Sequence, residues 1–271
     1  MERKLGINTD CLRGLLDEVS TLKLAHDMGF EVMTTAQIEL SKVSELKEKA
    51  VELGMEFPFL HSPFKGINYM WLEGDDYREA VYNGIIESID SASACEVKSV
   101  VLHVSSGWQA PPVNDLGLSR YDSLVEYSAK KGVTLAFENL RMVGNLAYLV
   151  DRYEHEPNVR FCYDCGHEHC YTKTVSWIDI FTKKIIATHI HDNFSRELDD
   201  KSCDPDLHLL PFDGTVNYHE MRRKLDKYGY AGPLLLEVFR TKREDYMTLS
   251  AEEFMKTAYD RIKRISELGN L

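Results

Sequence analysis

The sequence predicts a (β/α)8 barrel that forms a single domain over residues 1–271. Eight short apolar, β-rich segments alternate with amphipathic helical segments over about 250 residues, which is the pattern of such a barrel. No linker rich in proline, glycine or serine divides the chain, which favours one domain. The alternative is an open doubly wound sheet, but the segment GINTDCLRG lacks the glycine-rich phosphate turn that usually follows its first strand.

The predicted strands are short runs rich in β-branched and aromatic residues. In chain order they cover residues 4–9, 30–36, 56–61, 98–104, 132–138, 159–164, 184–191 and 233–239. Intervening segments such as SELKEKAVELG and YREAVYNGIIESIDSASA have the periodicity of amphipathic helices.

Side-chain alternation divides each predicted strand into two faces, because successive side chains point to opposite sides of a sheet. In VTLAFE the larger apolar residues share the face that suits packing against helices, and Glu138 lies on the other, inward face. The same division predicts inward positions for His103, His189, His191 and Glu237.

The inward faces of the third to eighth predicted strands all end in a residue type that binds metal ions. These residues are His61, His103, Glu138, Asp164, His191 and Glu237. The chain has 10 histidines and 44 acidic residues among 271, so six such strand ends are far more than chance predicts. Barrel enzymes carry their chemistry at the C-terminal ends of the strands. The sequence therefore predicts a metal site there.

The stretch RFCYDCGHEHCY, residues 160–171, contains enough cysteines and histidines for a thiolate zinc knuckle to be considered. Cys162 and Cys165 have C-x2-C spacing, but residues three apart on a strand point to opposite faces. No second C-x2-C pair follows at the spacing of a zinc ribbon. We therefore expect that Cys162, Cys165 and Cys170 do not bind metal.

The same stretch contains a pair that suits metal or substrate binding. We expect the strand to end at Asp164, with Gly166 allowing the chain to turn before His167. The element Asp164-x-x-His167 then places a carboxylate and an imidazole at one strand end.

Composition excludes several classes of protein. The net charge of −12 argues against a general nucleic-acid binder, which would present a basic face. No apolar run approaches the roughly 18 residues of a membrane span, and the N-terminus lacks the apolar segment of a signal peptide. Six cysteines without a secretory signal suggest reduced thiols, and the expected location is the cytoplasm.

Seven short motifs follow one another in a specific order and spacing. They are LHSPF, LHVSSG, FENL, DCGH, HIHDN, DLHLLPFDGTVNY and LLEV. With them, essentially the whole chain resembles the xylose isomerase-like barrel superfamily. That superfamily contains sugar and sugar-phosphate isomerases and epimerases, together with endonuclease IV-type AP endonucleases.

The resemblance to the epimerases implies one divalent cation held by Glu138, Asp164, His191 and Glu237. Glu138 and Glu237 would also be the acid/base pair that moves a proton through an enediolate, and His167 would contact a substrate oxygen. Carboxylates with an imidazole suit Mn²⁺, Zn²⁺ or Co²⁺. The endonuclease IV-type arrangement of three zinc ions would add His61, His103, His167, Asp206 and His208 as ligands.

The predicted substrate is a small-molecule sugar or sugar phosphate. The residues predicted to contact it are His61, His103, His167, Phe64, Trp108 and Arg196. For Phe64 and Trp108, covering the sugar and simple loop packing are equally good interpretations. The loop HLLPFDGTVNY departs from the common family pattern HLPPGEG-IDW, because Asp213 replaces a glutamate and Tyr218 a tryptophan.

The favoured function is thus a metal-dependent sugar isomerase or epimerase, and three alternatives stay open. One is a zinc phosphodiesterase acting on abasic DNA, but the loop 192–214 is acidic and would repel DNA phosphates. Its charged residues include Glu197, Asp199, Asp200, Asp204, Asp206 and Asp213, against Arg196 and Lys201. The others are a metal-dependent dehydratase and a catalytically silent sugar-binding barrel. The sequence leaves open the sugar and the oligomeric state, including a homo-oligomer.

Overall fold

The computed structural model describes residues 3–196 and 205–268. Every predicted strand is present within its predicted limits. The strands are β1 (Leu5–Asn8), β2 (Val32–Thr35), β3 (Glu56–His61), β4 (Ser99–Leu102), β5 (Thr134–Glu138), β6 (Val159–Asp164), β7 (Ile185–His189) and β8 (Leu234–Leu236).

Helices connect these strands. The described α-helices are α1 (Glu18–Met28), α2 (Leu40–Leu53), α3 (Asn83–Ala94), α4 (Asp115–Lys131), α5 (Val143–Arg152), α6 (Cys165–Tyr171), α7 (Trp177–Phe181), α8 (Tyr218–Lys227), α9 (Glu244–Thr248) and α10 (Ala251–Glu267). Short 3-10 helices cover Ile67–Trp71 and Arg240–Lys242, and a π-helical turn covers Arg78–Tyr82. Among the described residues, no helix combines the length and the apolar character that a membrane crossing requires.

The strands form one eight-stranded sheet in the order β7-β6-β5-β4-β3-β2-β1-β8. A parallel bridge between Ile190 and Leu236 links the residue after β7 to the end of β8. This strand order with intervening helices is that of a (β/α)8 barrel, so the predicted fold class is confirmed.

The chain divides into two compact units, each discontinuous in sequence. The first comprises Met1–Thr35, Leu46–Phe57 and Tyr163–Leu271, and the second comprises Ala36–Glu45 and Pro58–Cys162. The expectation that residues 1–271 make one domain stays a prediction.

In the first unit, β1 pairs in parallel with β2 and with β8. Gly6 lies between Val32 of β2 and Leu235 of β8. A Cβ atom at this position would lie 2.2 Å from Leu235 Cδ2 and 2.9 Å from the Val32 carbonyl oxygen, so only glycine fits. Helix α10 begins with a capping box between Ser250 and Glu253, which satisfies backbone N–H groups of its first turn.

In the second unit, β3, β4, β5 and β6 pair in parallel. Val100 lies beside Leu135, which in turn lies beside Val159, and all three side chains are buried. Parallel strands place their carboxyl ends at the same edge, so in each unit the residues that end neighbouring strands are brought together.

Candidate metal centre

Three residues of the first unit form a group that we call the triad: Asp164 and His189, which end β6 and β7, and Glu237, which directly follows β8. Nδ1 of His189 lies 3.3 Å from Glu237 Oε2 and 3.9 Å from Asp164 Oδ2. Asp164 and His189 are buried, whereas the side chain of Glu237 is partly accessible. Two carboxylates therefore flank one imidazole at the strand ends.

Asp164 is held in place by the helix that it caps. It is the last residue of β6 and the N-cap of α6, where its Oδ1 accepts a hydrogen bond of 2.6 Å from the backbone N–H of His167. This capping fixes the carboxylate and also orients the first turn of α6, which carries His167. The predicted Asp164-x-x-His167 element thus forms one rigid corner.

Four further ligand-type residues of the first unit form what we call the histidine cluster: His167, His191, Asp206 and His208. Their ligand atoms all lie within 4.8 Å of one another. Asp206 Oδ2 lies 3.1 Å from His167 Nε2 and 3.2 Å from His208 Nε2, and Asp206 Oδ1 lies 3.7 Å from His191 Nε2. The rings of His191 and His208 stack with centroids 4.0 Å apart.

Asp164 lies between the triad and the histidine cluster. Its Oδ1 lies 3.1 Å from His191 Nε2, and its Oδ2 lies 3.6 Å from His167 Nδ1. Glu237 also reaches both groups, because its backbone carbonyl lies 2.9 Å from His208 Nδ1. The two groups therefore form one continuous array of imidazoles and carboxylates.

Buried charge controls protonation in the histidine cluster. Burial alone would lower the pKa of His208, but the negative charge of Asp206 outweighs it and raises that pKa to about 9. Burial would likewise raise the pKa of Asp206, yet the neighbouring His208 and His167 hold it well below its ordinary value. The two shifts favour a protonated His208 beside an ionised Asp206.

The second unit contains its own group, which we call the second-unit cluster: His61, His103 and Glu138. Oε2 of Glu138 lies 3.1 Å from His61 Nε2 and 3.2 Å from His103 Nε2. The Glu138 carboxylate is fully buried, and Nδ1 of His61 lies 2.8 Å from the Ser62 carbonyl oxygen. That contact leaves Nε2 of His61 directed at the carboxylate.

One aromatic side chain, Phe64, packs against the second-unit cluster. The ring of Phe64 stacks on His103 with centroids 4.6 Å apart and meets His61 edge-on, while about half of the Phe64 side chain is exposed. Arg141 lies over the ring of Trp108 at 5.2 Å. Phe64 thus presents one apolar face outwards.

The remaining predicted substrate residue, Arg196, lies in the first unit. It is buried, and its Nε donates a hydrogen bond of 3.0 Å to the Cys170 carbonyl oxygen. The charged positions Glu197, Asp199, Asp200, Lys201 and Asp204 of the predicted acidic loop lie outside the described residues.

The structure corrects two details of the interpretation of residues 160–171. Cys165 is not on the strand, because β6 ends at Asp164 and α6 begins at Cys165. Gly166 does not serve a turn but lies inside α6, where a Cβ atom would be 2.0 Å from His191 Cε1. The glycine is needed because the imidazole packs directly on the helix backbone.

The cysteine thiol next to the site has the character of a core residue. Cys165 is buried, and its Sγ donates to the His191 carbonyl oxygen at 3.6 Å. Burial and the neighbouring Asp164 charge raise the pKa of the Cys165 thiol well above its ordinary value. A thiol that resists ionisation is a poor metal ligand, since thiolates are the binding form.

Sequence reasoning assigned His191 to the ligand set of Glu138, Asp164 and Glu237 and did not select His189. In the first unit, His189 is the histidine beside Glu237, whereas His191 contacts Asp164 and the histidine cluster. The alternation of HIH was an available signal, because it puts both histidines on the same face.

The donor atoms suit a divalent cation. Two ligands of a tetrahedral zinc ion bound at about 2.0–2.1 Å lie roughly 3.3 Å apart, and the contacts in the triad and the histidine cluster run from 3.1 to 3.9 Å. Imidazole and carboxylate donors are those that zinc, manganese and cobalt accept. The residues therefore fit a metal centre without large rearrangement.

The fold and these groups define a class of protein, a (β/α)8 barrel with histidines and carboxylates at its strand ends. Residues 22–264 match the model of the xylose isomerase-like TIM barrel family, and the chain belongs to that family. The predicted resemblance is confirmed.

Solved structures share this fold at low sequence identity. A xylose isomerase domain protein from Planctomyces limnophilus is 16% identical with a TM-score of 0.75, covering 100% of this chain and 99% of its own. D-psicose 3-epimerase from Clostridium cellulolyticum H10 is 14% identical with a TM-score of 0.77, at 98% and 99% coverage. The 3-keto-D-glucoside 4-epimerase of E. coli is 13% identical with a TM-score of 0.71, at 97% and 99%.

One curated relative is similar in sequence. It is the uncharacterized protein y4fM of Sinorhizobium fredii (strain NBRC 101917 / NGR234), 28% identical over 194 residues. The match covers 66% of this chain and 58% of that protein, so the chain spans little more than half the length of this relative.

Proposed function

We propose that the protein is a divalent-metal-dependent epimerase or isomerase of a sugar or sugar phosphate. The observation that carries this proposal is the triad, in which His189 lies within 3.3 Å of Glu237 and 3.9 Å of Asp164 at the strand ends. Family membership and the sugar epimerases among the structural neighbours support it. We also retain the cytoplasm as the proposed location.

In this proposal Asp164, His189 and Glu237 hold the cation, which is Mn²⁺, Zn²⁺ or Co²⁺. When bound, such an ion acts as a Lewis acid that polarises a carbonyl and acidifies the neighbouring C–H group. Glu138 is retained from the sequence as a further ligand. His191 is reassigned to the histidine cluster, because its contacts are with Asp164 and Asp206.

The glutamates would move the proton. Glu237 suits this role because its carboxylate is partly accessible to a substrate while its position is set by His189. Glu138 is proposed as the partner base, and its buried carboxylate is held between His61 and His103. One glutamate removes a proton from the carbon beside the carbonyl, and the other returns it.

Substrate contacts are proposed for the exposed face of Phe64 and for His167. A sugar ring presents C–H groups on its apolar side, and an aromatic face half-exposed beside a polar cluster offers them a matching surface. His167 would donate a hydrogen bond to a substrate oxygen. Trp108 and Arg196 stay proposed contacts on sequence grounds alone.

The test combines metal analysis with isotope labelling. Purified protein is dialysed, its Mn, Zn and Co contents are measured by mass spectrometry, and ketohexoses such as D-psicose, D-tagatose and D-fructose are incubated with it in D2O. We expect one ion per chain that depends on Asp164 and Glu237, besides any ion held by the histidine cluster, and solvent deuterium on the carbon that changes configuration. Product that forms without label would contradict proton transfer, because a hydride shift keeps the hydrogen on the substrate.

A second candidate is a zinc-dependent phosphodiesterase acting at abasic DNA. The observation that favours it is the presence of donors beyond the triad, in the histidine cluster and in the second-unit cluster. It requires about three zinc ions per chain and nicking of a duplex that carries one abasic site. A zinc-loaded protein that leaves such a duplex intact excludes this candidate.

A further inference from the structure

We propose that Asp192 is a positioning residue that sets the metal affinity of the histidine cluster. This inference rests on the proposed function in that it assigns the histidine cluster a second divalent cation beside the one held by the triad. Asp192 follows His191 directly in sequence, is fully buried, and is not among the residues whose ligand atoms converge in the described part of the chain. Its carboxylate acts on the backbone of the segment 205–216, which supplies Asp206 and His208.

The carboxylate of Asp192 accepts hydrogen bonds from three backbone N–H groups. Oδ1 accepts from Asn193 at 2.9 Å and from Val216 at 3.0 Å, and Oδ2 accepts from Phe212 at 2.9 Å. The Asp192 backbone also exchanges two hydrogen bonds of 2.9 Å with Leu209. Asp192 therefore contacts the segment at three places along its length.

The segment needs such anchoring because its backbone is strained. His208 has φ +46° and Phe212 has φ +72°, conformations that side-chain-bearing residues rarely adopt. Such conformations persist only when the surrounding structure fixes them. His208 directly precedes Leu209, which is hydrogen-bonded to the Asp192 backbone, and Phe212 donates its own N–H to the Asp192 carboxylate. Both strained residues therefore lie at points that Asp192 holds.

Close packing leaves the segment no room to shift towards β7. A Cβ atom at Gly214 would lie 2.3 Å from the Asn193 carbonyl oxygen and 2.4 Å from Asp192 Oδ1. Because Asp192 is covalently next to His191, one carboxylate fixes the distance between His191 and His208, whose rings stack at 4.0 Å. Loss of the anchor would separate these ligands.

The decisive variant is Asp192→Asn, which keeps the shape of the side chain. Its amide NH₂ must face at least one of the three backbone N–H groups, so a donor meets a donor. Partners that orient metal ligands typically change affinity by about 10–100-fold. We expect zinc to bind the histidine cluster at least about tenfold more weakly, measured by competition with a chelator. The cluster-specific part of the signal is the zinc binding that His208→Ala removes.

The matched control is Asp213→Asn, which removes a carboxylate from the same segment. Asp213 pairs with Arg261 at 2.7 Å and with Arg243 at 3.4 Å, outside the histidine cluster. We expect its zinc affinity to stay within about threefold of the parent. If Asp192→Asn does not fold, Gly214→Ala takes its place, because the added methyl group would lie 2.4 Å from Asp192 Oδ1 and force the carboxylate and the segment apart. Zinc affinity should then fall at least about tenfold, and an unchanged affinity would overturn the inference.

A double-mutant cycle separates positioning from general destabilisation. If Asp192 acts through His208, adding Asp192→Asn to His208→Ala lowers zinc affinity by less than about twofold. An equal loss in both backgrounds, or no loss in either, overturns the inference. Parent protein without zinc in the histidine cluster also overturns it, while a single ion that depends on Asp164 and Glu237 would leave the proposed function intact.

Discussion

Replacing Gly166 by alanine tests the packing of the site most directly. The new Cβ atom would lie 2.0 Å from Cε1, 2.3 Å from Nδ1 and 2.5 Å from Nε2 of His191. Ordinary contacts begin near 3.4 Å, so the imidazole must move by more than about 1 Å. It cannot do so freely, because the ring of His208 stacks on it with centroids 4.0 Å apart. Overpacking of this kind costs about 1–3 kcal/mol of unfolding free energy.

For a chain of this size, that loss corresponds to a melting temperature lower by roughly 2–10 °C. The assay is thermal unfolding followed by circular dichroism, combined with zinc affinity measured by chelator competition. Zinc affinity should fall at least about tenfold, since a displaced imidazole no longer meets the other ligands.

The control is Gly144→Ala in α5, an exposed position where nothing lies within 4 Å of the added Cβ atom. There the substitution should stabilise the helix by about 0.5–1 kcal/mol, because glycine is the more flexible residue in the unfolded chain. A Gly166→Ala protein that melts at or above the parent temperature and binds zinc equally well would refute the packing argument.

Three further predictions concern the ligands. Cys165→Ser should leave the metal content unchanged, because the buried thiol stays neutral; loss of the ion would revive a thiolate site. Glu237→Gln, assayed with metal in excess, should lose at least about a hundredfold in turnover, whereas Glu220→Gln, on the exposed face of α8, should match the parent. In the metal-free protein, protonated His208 stabilises the fold below its ordinary pKa of about 6.5, and this contribution is lost as pH rises through about 9. Zinc binds the neutral imidazole, so its apparent affinity should rise by up to about tenfold per pH unit between about pH 6.5 and about pH 9. A zinc affinity that does not change with pH in this range would contradict the pairing of His208 with Asp206.

The local sequence pattern was sufficient to predict the strands and to predict which side chains share the inward face of each strand. The predicted third and sixth strands, 56–61 and 159–164, coincide with β3 and β6. The period of two in a strand is a property of the backbone itself, so a run such as VTLAFE indicates the face of Glu138 without any tertiary information. Composition and order of the strands likewise sufficed for the fold class.

The ends of the last two strands were predicted too long. The pattern continues to 191 and 239, but β7 ends at His189 and β8 at Leu236. Beyond β7, Asp192 pairs with Leu209 in an antiparallel bridge, and beyond β8 the Val238 N–H donates to Asn8 Oδ1. At these points, contacts with residues distant in sequence replace the hydrogen bonds between neighbouring parallel strands. No local sequence signal marks where this happens.

The sequence by itself determined that His189 and His191 share a face, and only the tertiary structure decided which one meets Glu237. Alternation specifies the side of a strand but not the height at which its neighbour's side chains lie, which depends on the register between β7 and β8. The bridge between Ile190 and Leu236 sets that register and brings His189 beside the glutamate. Gly166 is a second example. Its position has no room for a side chain because the imidazole of His191, 25 residues further along the chain, packs against it.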